Sequence, residues 1–211
     1  GIGNFVQFGV NPAIYDKLPY DPVKDFAPII LMYRAPLALV VNPRMPVATL
    51  AEFIRYAKER PGKLNYSTSG TAQPPHIYME LLKHLAGIDI VHVPYRGAPP
   101  AAAALMAGEV DVLLETASGV IPQIKDGKMK PLAVTGEERI KTIPDVPTFA
   151  EAGVKGIGSS WMGIFAPKGT PGEIIARLNR EIARVLASPE IRTFYDNAGR
   201  ITVAGTPEEF G

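Results

Sequence analysis

Two short stretches of this 211-residue chain gather the residue types that hold anions. The first, Asn65-Tyr66-Ser67-Thr68-Ser69-Gly70-Thr71-Ala72-Gln73-Pro74-Pro75-His76, runs from a strand pattern through hydroxyls and a glycine into a helix signal. The second, His92-Val93-Pro94-Tyr95-Arg96-Gly97-Ala98-Pro99-Pro100, places a phenol and a guanidinium at a similar corner. Small residues let backbone N–H groups approach a ligand, and the start of the following helix carries partial positive charge. Thr68, Ser69, Gly70 and Gln73 on the first corner, with Tyr95, Arg96 and Gly97 on the second, are therefore candidate contacts for a carboxylate. Each corner also has a plainer reading, an ordinary helix cap for the first and a solvated arginine for the second. Pairing favours the ligand, because neighbouring parallel strands open their C-terminal ends onto one crevice.

A third junction, Asp111 to Gly119, ends a strand with Glu115 and Thr116. Glu115 either caps the next helix, makes a lobe-closing contact, or receives a ligand ammonium or hydroxyl. Trp161, beside Ser159 and Ser160, suits core packing or a cleft wall.

Enzyme chemistry finds little support. His76, His84 and His92 are evenly spaced without the H-E-x-x-H arrangement, so a catalytic zinc is not expected, and no other metal or cofactor is called for. Ser69 sits outside a G-x-S-x-G elbow. A triad of Ser69, His76 and Glu115 is conceivable but nothing in the spacing requires it, so a serine hydrolase stands only as an alternative. Gly1-Ile2-Gly3 lacks the rest of a dinucleotide fingerprint and the strand before it.

Composition narrows the classes further. A formal net charge of +1, with acids and bases interspersed, leaves no basic face for nucleic acid. The longest apolar run is broken by Arg34 and falls short of the ~20 residues a membrane span needs, so the chain is not expected to be membrane-embedded. The absence of cysteine excludes disulfides and thiol chemistry. Gly1-Ile2-Gly3-Asn4 shows no signal-peptide pattern, and a capping box at Thr206-Pro207-Glu208-Glu209 announces a helix close to the end, so a piece of a longer protein is expected.

The elements that must carry these corners follow from periodicity. Apolar runs at Ile29 to Asn42, Lys63 to Ser67, Asp89 to Pro94, Val110 to Glu115, Lys130 to Thr135 and Trp161 to Pro167 read as buried strands. Helices are predicted after Thr49, from Pro75 to Ala86, from Pro99 to Ala107, and after Thr170, the last with Ile174, Ile175, Leu178, Ile182, Val185 and Leu186 as its buried stripe. Alternation of strand and helix predicts an α/β fold with a largely parallel sheet. Asn42 to Pro46 and Gly156 to Ser160 are candidate hinges, which would make residues 46–157 one complete lobe and residues 1–45 with 158–211 a partial other one.

Several segments in order carry a family resemblance. Asn11-Pro12, Leu18-Pro19-Tyr20-Asp21-Pro22-Val23-Lys24-Asp25-Phe26-Ala27-Pro28, Lys58 to Gly70, His92 to Gly97, Leu132-Ala133-Val134-Thr135 and Ile143-Pro144-Asp145-Val146-Pro147-Thr148 with Glu151-Ala152-Gly153 closely resemble the Bug-type substrate-binding proteins of tripartite tricarboxylate transporters. The resemblance implies a type II periplasmic-binding-protein fold, with two lobes joined by crossover strands and closing on a small organic carboxylate such as a di- or tricarboxylate, an aromatic acid or an amino acid. It implies a periplasmic receptor that hands its ligand to a membrane permease, without catalysis or cofactor. A ligand-sensing module for a signalling partner would use the same lobes. Relatives carry a glycine-rich segment ahead of the point where this sequence starts, and their final helices extend further. Asn4, Phe5 and Gln7 match the family's variable stretch near the far end of the ligand, and Ala72-Gln73 replaces a common glycine-threonine pair.

Overall fold

The structure is a computed structural model that describes residues 1–211. The chain runs through β1 (Ile2–Asn4), a π-helical turn (Val6–Val10), α1 (Asn11–Ile14), β2 (Phe26–Ala35), β3 (Leu37–Val41), α2 (Leu50–Lys58), β4 (Asn65–Thr68), α3 (Pro74–Ala86) and β5 (Val91–Pro94). It continues through α4 (Ala98–Ala107), β6 (Val112–Thr116), α5 (Ala117–Lys125), β7 (Lys130–Val134), β8 (Ser160–Pro167), α6 (Gly172–Leu186), α7 (Pro189–Asn197), β9 (Ile201–Thr202) and α8 (Pro207–Phe210). Two compact units result, one from Gly1–Ala35 with Ser160–Gly211 and the other from Pro36–Ser159.

The apolar run from Ile29 to Asn42 reads as one strand in sequence but serves two sheets. Pro36 has no N–H to continue a ladder, so β2 ends before it and β3 begins after it in the second unit. The first crossing between units therefore falls at Ala35–Pro36, ahead of the expected Asn42 to Pro46, and the second at Ser159–Ser160.

In the Pro36–Ser159 unit five strands lie in the order β5-β4-β6-β3-β7. β4 is parallel to β5 and β6, whereas β3 runs antiparallel to both β6 and β7. The sheet is thus mixed, not largely parallel, because β3 enters directly from the other unit without a crossover helix to reverse it. All five residues of β3 are buried. On one sheet face α4 brings Ala101, Ala102 and Ala104 into the core with Leu105, Val40, Leu113 and Val120. Those small side chains let the helix sit close enough for the Ser67 hydroxyl to donate to the Ala101 carbonyl at 3.3 Å. On the opposite face Tyr66 donates its hydroxyl to Glu80 of α3 at 2.6 Å. Successive strand residues thus face different helices, as the pleat requires. α2 opens on the expected cap, with Thr49 Oγ1 accepting from the Glu52 N–H, while Glu52 reaches back to the Ala48 N–H.

The other unit holds an antiparallel sheet in the order β1-β8-β2-β9. Phe8 stacks on Phe165 with ring centroids 4.1 Å apart, and Phe26 meets Phe8 edge-on. α6 packs with Ile175, Ile182 and Leu186 against Ile29, Ile30 and Ala166. Ile174, Leu178 and Val185, expected in its buried stripe, are exposed. The Thr206 capping box forms, and α8 is one short turn that packs on β2.

Candidate functional site

The connectivity of the five-stranded sheet creates a break in direction between β4 and β6. From β4 the chain turns through α3 to β5 on one side, and from β6 it turns through α5 towards β7 on the other. Loops that leave in opposite directions part company, and the opening lies at the C-terminal ends of those two strands. The pairing shows where it opens: Tyr66 faces Val112 and Ser67 faces Leu113, and the ladder then stops.

On the other side of β4 the pairing continues. Thr68 faces Pro94, Tyr95 N–H donates to the Thr68 carbonyl at 3.0 Å, and Gly97 N–H donates to the Ser69 carbonyl at 3.2 Å. The structure therefore brings the two sequence-predicted corners side by side. The same bonds occupy the amides of Tyr95 and Gly97, so these residues frame the edge instead of offering main-chain donors. Gly97 adopts φ +109° and ψ 171°, a conformation open almost only to glycine. Arg96 is exposed between them.

Three helices start along this edge, and their first turns differ in what they can donate. Beyond the N-cap residue, the first three amides of a helix lack intrahelical partners. Pro74 and Pro75 open α3, and Pro99 and Pro100 follow Ala98 in α4, so each first turn keeps a single N–H, at His76 and Ala98. In α5, Ala117 N–H is taken by the Pro36 carbonyl at 2.9 Å, which leaves Ser118 and Gly119. The densest first-turn donor set thus belongs to the third junction and not to the first two corners.

Glu115 stands directly before that turn. It is 3% exposed, and its Oε1 accepts from the Thr116 N–H at 2.7 Å and from the Thr116 hydroxyl at 3.1 Å. Its Oε2 is buried without a partner. Thr116 is the N-cap residue of α5, yet its hydroxyl turns to Glu115 and makes no side-chain cap bond. Glu115 therefore does not cap the first-turn amides of α5, as one sequence reading had it.

Thr68 is fully buried at the end of β4 and is held from below. Its Oγ1 lies 2.7 Å from His92 Nε2 and donates to the Gly70 carbonyl at 3.2 Å. The His92 ring lies between two others, stacking on Tyr66 at 4.8 Å and on His76 at 4.2 Å between centroids. Burial and the neighbouring His76 push the His92 pKa below its usual 6.5. Burial also raises the Tyr66 phenol, reinforced by Glu80. The Glu80 carboxyl lies below its usual 4.5, since hydrogen bonds from Lys83 and Tyr66 outweigh the opposing effect of burial. His76 Nδ1 accepts from the Ala72 N–H at 3.3 Å, tying the loop to the first turn of α3. This aromatic support was invisible in sequence beyond the even spacing of the histidines.

The hydrolase alternative loses its geometry here. His76 belongs to the α3 face of the sheet, whereas Glu115, two residues beyond Leu113 on β6, faces the α4 side. Gln73 is the exposed N-cap of α3 and makes no side-chain cap bond.

Gln7 and Trp161 lie in the other unit. Gln7 is exposed on the π-helical turn, with its Oε1 accepting from the Asn4 N–H at 3.2 Å, and it lines a cavity of about 240 Å³ with Phe8, Tyr20 and Phe165. Trp161 is half-buried on β8 and meets Phe210 edge-on, with centroids 5.5 Å apart.

Comparison with known proteins agrees with this architecture. Residues 3–209 match the model of the tripartite tricarboxylate transporter family receptor. A UPF0065 protein from the tcbD-tcbE intergenic region of Pseudomonas sp. (strain P51) is 35% identical over 201 residues, covering 94% of this chain and 60% of the relative. Among solved structures, R. palustris Rpa4515 with adipate is 35% identical with a TM-score of 0.84, covering 99% of this chain and 70% of that one. MatC (Rpa3494) from Rhodopseudomonas palustris with bound malate is 34% identical with a TM-score of 0.78, covering 95% and 69%. The chain spans about three fifths of the length of the curated relatives it matches first. The fold is the mixed α/β, type II-like architecture of these receptors. By the extent of the family match and the identity to its relatives, the chain belongs to the tripartite tricarboxylate transporter receptor family, a family of solute-binding receptors and not of enzymes.

Proposed function

We propose that this chain is the greater part of an extracytoplasmic receptor for a small organic carboxylate, with the anchor at the C-terminal ends of β4 and β6. The observation that carries the reading is the opening between those strands, edged by the first turns of three helices whose free amides point out of the same sheet edge. Ser69, the Arg96 guanidinium and the first turn of α5 supply donors, while the Gly70 N–H is already held by Thr68 Oγ1 at 3.4 Å. Thr68, Gln73, Tyr95, Gly97 and Thr116 shape the loops around them. Adipate and malate in two relatives support a carboxylate as the class. Gln7 and Trp161 are candidate contacts carried by the other unit. Delivery to a membrane permease from the periplasm follows the family's character.

The test is thermal unfolding of the 211-residue chain against a panel of mono-, di- and tricarboxylates. A ligand that binds only the folded state at a hundred times its Kd adds about 2.7 kcal/mol of stability. A rise in Tm with at least one carboxylate, abolished by Ser69→Pro and reduced by Arg96→Ala, is expected. No rise with any acid overturns the reading.

A further inference from the structure

The buried Glu115 carboxylate sits at an opening otherwise lined by anion donors, where a negative group is the last thing a simple carboxylate requires. One oxygen is satisfied twice by Thr116, and the other has no partner. An unpartnered buried carboxylate oxygen is costly, and a donor that completes it is correspondingly favoured. No donor among residues 1–211 reaches this oxygen. The residue stands on β6 level with Ser69 of β4, two positions past the last paired residues, Ser67 and Leu113. Past those pairs the two segments are no longer held at the roughly 4.8 Å of a hydrogen-bonded ladder, which leaves room for a small ligand group.

The cover over the group is thin. Gly119 is exposed, and a Cβ placed there would stand 3.6 Å from Glu115 Cγ and 3.5 Å from Thr116 Oγ1. Above the carboxylate, therefore, is the first turn of α5 with its free Ser118 and Gly119 amides. Donors for a carboxylate and an acceptor for a second group lie within one helical turn.

We propose that Glu115 is a specificity-determining residue that accepts a hydrogen bond from a hydroxyl or ammonium group carried next to the ligand's carboxylate, so that the site selects 2-hydroxy or 2-amino acids over their unsubstituted counterparts. This rests on the carboxylate-receptor reading above. The carboxylate engages the α5 amides and Ser69, while the 2-substituent completes Oε2. An unsubstituted acid leaves that oxygen bare and brings a second negative charge beside it.

The experiment is isothermal titration of the 211-residue chain with two series that differ only at C2: succinate, malate and aspartate, and glutarate, 2-hydroxyglutarate and glutamate. Adipate serves as an unsubstituted reference. Within at least one series the substituted acids should bind about tenfold or more tighter than the unsubstituted one, the span of a single charged hydrogen bond. Glu115→Gln, which keeps an acceptor but loses the charge, should remove the preference for the amino acid and leave part of that for the hydroxy acid. Glu115→Leu should remove both. Cooperative thermal unfolding checks each variant, and if neither folds the wild-type comparison decides alone. Equal binding within both series, or a preference that survives Glu115→Leu, overturns the inference and leaves the receptor reading standing. No binding by any acid, adipate included, overturns both.

Discussion

Thr68 at the end of β4 and His92 on β5 share a 2.7 Å contact between Oγ1 and Nε2, and this places a buried hydroxyl directly beneath the loop that follows the strand. The same hydroxyl donates to the Gly70 carbonyl, so one side chain links the aromatic layer under the sheet edge to the turn above it. Loss of either partner leaves a buried polar atom unsatisfied.

Thr68→Val keeps the shape and removes these bonds together with the one that the Gly70 N–H donates to Thr68 Oγ1 at 3.4 Å. The unfolding free energy should fall by about 1–3 kcal/mol, read from urea melts at pH 7.5. Thr68→Ser retains the hydroxyl and should recover more than half of the loss.

The His92 stack makes stability depend on pH. Because burial and His76 hold the folded pKa below 6.5, the unfolded chain binds the proton more readily, and stability rises with pH wherever that difference operates. The contribution is complete above the unfolded value and is lost as pH falls from there through the folded value. Urea melts between pH 7.5 and 5.5 should show a decline that His92→Gln flattens. This window lies above that of Glu80, whose depressed carboxyl withdraws its contribution only as pH falls below 4.5. An unchanged slope in His92→Gln would remove His92 as the cause.

Thr135 secures the start of β3. It is fully buried, its Oγ1 accepts from the Leu37 N–H at 2.9 Å, and its own N–H donates to the Leu37 carbonyl at 2.8 Å. Thr135→Val orphans the Leu37 amide next to the crossing at Pro36. A loss of about 1–3 kcal/mol is expected. Hydrogen exchange should show faster exchange at Leu37 than at Leu39, and equal protection of the two would contradict this role.

Gly97 is a backbone requirement and not a packing one. The nearest atom to an added Cβ is Pro99 Cδ at 3.8 Å, so space is ample while φ +109° with ψ 171° is not tolerated by a side chain. Gly97→Ala should cost about 1–3 kcal/mol from strain alone. Its Tm should drop without any change in the core, and a neutral substitution would mean that the loop relaxes to another conformation.

Much of the edge was legible from residue types. Hydroxyls and glycine after an apolar run, followed by proline and a helical pattern, announce a strand, a corner and a helix start for local reasons that need no partner. The same local logic named Glu115 and Thr116. Reading helix starts from residue types alone passes over the amides that Pro99 and Pro100 remove from the first turn of α4. The stripe of α6 was overread in the same way, because period alone cannot say how wide a face its neighbours cover.

The chain's own sequence determined the alternation of strands and helices around the polar corners and that those corners follow apolar strands, because these depend on neighbours within a few residues. Tertiary structure alone decided that β3 would enter the second sheet antiparallel and that the sheet would open between β4 and β6 rather than between β4 and β5. It also decided that His76 and His92 would stack and that Glu115 would keep one oxygen bare. Those outcomes rest on strand order and on which helix covers which face, and both are set by packing between residues that sequence spacing does not relate.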